Sequence, residues 1–93
     1  MNRILADASY LRSLKKYSET EINDIKAAVV QLPDIFGKPH IHAGLGIRKI
    51  GKRILELRSG LKVRVLFVRD SGDFVLLFAG DHDQVARWLK ENG

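Results

Sequence analysis

Ninety-three residues, a net charge of +5 and no cysteine fit one small domain over residues 1–93. They exclude a disulfide framework, a thiol nucleophile and a cysteine-based zinc site. Hydrophobic residues make up 45% of the chain, enough for a modest core, but the wholly apolar runs fall far short of the ~20 residues of a spanning helix.

The absence of cysteine is compatible with a reducing cytoplasm. The opening MNRILADASY has no long apolar stretch, so neither a signal peptide nor a membrane partner is expected and the expected location is the cytoplasm. The basic balance calls for an acidic partner, nucleic acid or protein. Its charge is concentrated. Residues 48–69 hold eight basic side chains (Arg48, Lys49, Lys52, Arg53, Arg58, Lys62, Arg64, Arg69) against Glu56 alone, while residues 70–93 are net acidic. A merely soluble surface more usually mixes signs, so this stretch is expected to bind anions.

Taken in order, Arg3-Ile4-Leu5-Ala6 reads as a short edge strand. Asp7 then offers an N-cap for a helix with Tyr10, Leu11 and Leu14 on one stripe. Ser18 and Glu21 fit a capping box. Ile22, Ile25, Val29 and Leu32 follow as one face of a second helix that ends at Pro33. The connection is short, so the two form a helical hairpin. Residues 33–46 read as a loop carrying His40 and His42, with a further exposed strand at Ile47 to Ile50.

Three strands are predicted next, the first two by alternation. In Arg53 to Arg58, Leu55 and Leu57 point one way and Ile54, Glu56 and Arg58 the other; in Lys62 to Arg69, Val63, Val65 and Phe67 oppose Lys62, Arg64, Leu66 and Val68. Asp70 to Asp73 is a hairpin turn. Phe74 to Ala79, apolar on both faces, reads as a central strand. Asp81 or Asp83 caps a last short helix with Val85, Trp88 and Leu89 on one side. The expected fold is α+β, with an N-terminal helical hairpin on one face of a small antiparallel sheet and a short C-terminal helix.

The ordered set Gly-Leu-Gly-Ile-Arg-Lys-Ile (44–50), Ile-Leu-Glu-Leu-Arg (54–58), Val-Arg-Val-Leu-Phe (63–67) and Phe-Val-Leu-Leu-Phe-Ala-Gly-Asp-His-Asp (74–83) resembles the RelE/ParE superfamily, toxins of bacterial type II toxin–antitoxin modules. The resemblance covers almost the whole chain. It implies a ribosome-dependent mRNA endonuclease (an mRNA interferase) that inhibits translation. The alternatives are a ParE-like inhibitor of DNA gyrase without catalysis and an inactive antitoxin-binding relative. Implied partners are a small cognate antitoxin, the ribosome with its mRNA and rRNA, and operator DNA through the antitoxin alone. No cofactor and no metal are implied.

RNA cleavage through the 2′-hydroxyl needs a base, a cation for the phosphorane and an acid for the leaving 5′-oxygen. Arg64 stands where the resembling endonucleases keep a third-strand arginine, suited to bidentate phosphate binding. His82 stands where some carry a histidine after the last strand, as acid. Asp81 and Asp83 either stabilise its charged form or cap the helix. Arg58 is expected to bind phosphate. Glu56 is either a base or an ion-pair partner of Arg58. Family lysines on the second strand are replaced here by Ile54 and Glu56, so another base is implied, Glu56 or a histidine. Arg48, Lys49, Lys52, Arg53 and Lys62 are expected RNA contacts. Trp88 lies near a family position for base stacking, but its helical spacing with Val85 and Leu89 favours packing or an antitoxin contact.

Overall fold

A computed structural model describes residues 2–36 and 46–92. Strand β1 (Ile4–Ala6) leads into helix α1 (Ala8–Ser13), a 3-10 turn (Leu14–Lys16), α2 (Glu19–Val29) and the single turn α3 (Leu32–Ile35). Strands β2 (Arg48–Lys49), β3 (Leu55–Ser59), β4 (Val63–Asp70) and β5 (Asp73–Gly80) follow, and α4 (His82–Asn92) comes last. His40 and His42 lie outside the described residues.

The helix starts are those of the sequence. The Asp7 carboxylate accepts from Ser9 N–H, and Ser18 and Glu21 form a reciprocal capping box. Proline acts differently from the expectation: α2 stops at Val29, and Pro33 opens the next helical turn, where its missing N–H leaves no bond unmade.

Among the described residues the strands form one sheet in the order β1-β5-β4-β3-β2. The β2–β3, β3–β4 and β4–β5 pairs are antiparallel, while β1 runs parallel to β5 with Leu5 opposite Val75. The sheet is thus mixed rather than wholly antiparallel, because α1 and α2 carry the chain from β1 at one edge to β2 at the other, and the antiparallel run β2 to β5 returns to lie parallel to β1.

Alternation then decides the layers. Leu57, Val65, Phe67, Phe74, Leu76 and Ala79 face Tyr10, Leu14, Ile25, Ala28, Val29 and Leu32 in the buried core. Leu66 and Glu56, also buried, point to the opposite face. A register shift after Leu66 leaves Leu77 outside the pairing. The bulge lets Phe78 oppose Leu66 while Leu76 opposes Phe67, so both faces stay apolar. Phe78 stacks on Trp88 of α4, with centroids 5.9 Å apart and planes at 22°.

Beyond β1, the open edge of β5 is covered by side chains. The Ser9 hydroxyl shares its one proton between Asp7 Oδ2 and Leu77 O, Ser13 Oγ accepts from Ala79 N–H at 2.9 Å, and Lys16 Nζ donates to Ala79 O at 2.7 Å. One helical face thereby does what a neighbouring strand would do. Burial lowers the Lys16 amine from the ordinary lysine value. No helix among the described residues is long and apolar enough to cross a membrane.

Candidate active site

On the sheet face away from α1 and α2, three strands and a helix terminus bring charged groups together. Register places Arg48 opposite Glu56, Arg58 opposite Arg64, and Arg64 opposite Gly80, two residues before His82. The Glu56 side chain is only 2% exposed. Its Oε1 accepts from Arg48 Nε at 3.2 Å, and its Oε2 lies 3.9 Å from Arg64 Nη1. A buried carboxylate needs such partners, since an uncompensated charge there is strongly destabilising. Glu56 therefore pairs with Arg48 and Arg64, not with Arg58.

Arg64 is held on two sides. Its side chain is 13% exposed, and Nη1 lies 3.4 Å from His82 Nδ1. Guanidinium only donates, so this contact requires a bare Nδ1 and puts the neutral ring's proton on Nε2. Asp81 is occupied elsewhere: its Oδ1 accepts from Gln84 N–H at 2.8 Å. Of the two readings of Asp81, the helix cap is the one the geometry displays. Lys62, Arg64, Leu61, Asp81, His82 and Asp83 line a shallow concavity of about 280 Å³.

Arg58 is exposed and lies beside Gly46, where an added Cβ would come within 3.0 Å of Arg58 Cδ. It lines a wider groove of about 860 Å³ against α2 and makes no hydrogen bond or ion pair among the described residues. Like charges directly opposite across two strands repel, so the Arg58–Arg64 pairing suits a site that receives an anion. Lys49 on edge strand β2, Lys52 and Arg53 in the β2–β3 connection and Lys62 in the β3–β4 turn are all exposed. Trp88 is half-buried on Phe78, in keeping with its helical spacing.

Sequence reasoning misses two participants. It gives Arg48 only as an RNA contact, whereas the pairing of Arg48 with Glu56 depends on register. Gln84 is not singled out by it, although Asp81-x-x-Gln84 has the spacing of a capping box.

No family model matches the chain, and no curated protein matches its sequence. Solved structures do match its fold. YafQ from E. coli superposes with a TM-score of 0.71 at 9% identity, covering 91% of this chain and 98% of that one. The toxin–antitoxin complex of RelE and RelB from Methanococcus jannaschii gives 0.68 at 13% identity, covering 90% and 96%. The archaeal RelE–RelB complex from Pyrococcus horikoshii gives 0.61 at 13% identity, covering 86% and 93%. The chain thus has the α+β fold of the RelE-like toxins, with Arg64 and His82 meeting at the sheet–helix junction of that fold.

Proposed function

We propose that the chain is a single toxin domain that cleaves mRNA on the ribosome, neutralised by a small antitoxin. The observation that carries this reading is the Arg64–His82 contact, 3.4 Å across an exposed basic surface. Arg64 and Arg58 hold the scissile phosphate, where a guanidinium can bind two oxygens at once. Phosphate draws the Arg64 guanidinium to itself and frees His82 Nδ1 to take a proton. The 2′-hydroxyl gives that nitrogen its proton as its oxygen attacks phosphorus, and the imidazolium so formed passes the proton to the leaving 5′-oxygen as the P–O5′ bond breaks, leaving a 2′,3′-cyclic phosphate. Glu56 holds Arg64 and Arg48 in place from below. Lys49, Lys52, Arg53 and Lys62 contact the RNA backbone without reading sequence.

The complexes of RelE with RelB among the structural neighbours support an antitoxin partner here, through which any operator DNA is reached. Expression in growing cells tests the reading. Incorporation of labelled amino acid should stop before that of labelled thymidine, and Arg64→Ala should relieve the arrest. Replication stopping first would point instead to a gyrase inhibitor.

A further inference from the structure

Gly80 stands directly across from Arg64, and His82 begins α4 two residues later. The Gln84 side chain folds back over this turn. Its Oε1 accepts from Asp81 N–H at 2.9 Å, while the Gln84 backbone N–H donates to Asp81 Oδ1 at 2.8 Å. The stem lies so close to Gly80 that a Cβ there would meet Gln84 Cβ at 2.9 Å, Gln84 Oε1 at 3.0 Å and the Phe78 ring at 2.8 Å. Gly80 is not among the positive-φ glycines, so its missing side chain serves space rather than backbone angle. From the other side, Ser13 and Lys16 hold both backbone groups of Ala79. Between these two clamps, His82 is the side chain that reaches the Arg64 guanidinium.

We propose that Gln84 is a positioning residue for His82. By closing the Asp81 turn over Gly80, it fixes where the imidazole leaves α4 and so holds Nδ1 at the Arg64 guanidinium. A helix cap alone would need only the two hydrogen bonds. The packing of Gln84 onto the residue opposite Arg64 ties the cap to the site. The consequence for catalysis rests on the endonuclease reading; the consequence for the ring rests on geometry alone.

Side-chain nitrogen NMR of the full chain tests this, with the His82 signals assigned by their loss in His82→Ala. The wild type should show one neutral tautomer, protonated on Nε2. Gln84→Ala should show both tautomers, and Gln84→Glu, which keeps the acceptor for Asp81 N–H, should restore the single form. If Gln84→Ala unwinds α4, Gln84→Met keeps the stem over Gly80 without the acceptor and should still mix the tautomers. Unchanged His82 signals in Gln84→Met or in a helical Gln84→Ala would overturn the proposal, as would mixed tautomers in Gln84→Glu. With cleavage assayed alongside, Gln84→Ala should lower kcat about tenfold at unchanged KM and add nothing in a His82→Ala background. Additive losses would mean that Gln84 does not act through His82. A wild type that cleaves no mRNA ends the endonuclease reading and leaves the positioning role to the ring signals.

Discussion

The Glu56 carboxylate, almost wholly buried, lies 3.9 Å from the Arg64 guanidinium, and the same carboxylate binds Arg48 on its other oxygen. The phosphate-binding arginine of the proposed site is therefore set by a group beneath it. Glu56→Ala should leave Arg64 beside an empty, poorly solvated space and destabilise the fold by about 2–4 kcal/mol. In a domain of this size that lowers Tm by at least about 8 °C. Urea titration measures the first value and calorimetry the second. A loss below about 0.5 kcal/mol would show that the pair contributes no more than a surface contact.

The edge of β5 gives a second expectation. Ser13 is buried, and its hydroxyl both donates to Tyr10 O and accepts from Ala79 N–H. Ser13→Ala should cost about 1–3 kcal/mol by leaving that N–H without a partner. Hydrogen exchange at Ala79 should accelerate more than exchange at Val65, its neighbour in the sheet interior.

Acid should weaken the fold at named places. Asp73 is held below its ordinary value chiefly by the hydrogen bond from Arg3, Asp7 by the hydroxyl of Ser9, and Glu21 by the backbone N–H of Ser18. A carboxyl whose value is depressed in the folded state adds stability above the unfolded value and loses it as pH falls through the folded one. The contribution is thus complete at neutrality and fades below about pH 4. The urea midpoint should fall between pH 5 and pH 3, and Asp73→Asn should flatten that fall. An unchanged profile in the variant would remove Asp73 from the account.

The basic edge predicts a salt effect. Replacing Lys49, Lys52 and Arg53 with alanine should weaken binding to ribosomes. It should also reduce the slope of log affinity against log salt by about 2, at ~0.7 for each phosphate that a cation no longer neutralises. Stability should change little, because all three side chains are exposed. An unaltered slope would place the RNA elsewhere.

The fold is largely legible in the sequence because its signals are local. Ser18 and Glu21 mark a helix start by themselves, and the alternation through Lys62 to Arg69 separates core from site without knowledge of any partner strand. Long-range facts are less accessible. That β1 lies parallel to β5 depends on the path of α1 and α2, which no strand pattern encodes. The Leu77 bulge is hidden inside an unbroken apolar run. At the site, residue types point to Arg64 and His82, but pairing Glu56 with Arg48 and Arg64 requires the register of three strands. Gln84 escapes notice because a polar residue in a first helical turn has an ordinary explanation as a cap.

The central claim is that this surface cuts mRNA, and programmed ribosomes with purified protein test it most directly. Primer extension on mRNA held in the ribosome should reveal a cut in the A site with the wild type. Arg64→Ala should reduce cleavage by at least about 100-fold, the scale of losing one preorganised cation at the developing charge. Intact mRNA with the wild-type protein, or equal cleavage by Arg64→Ala, would contradict the account.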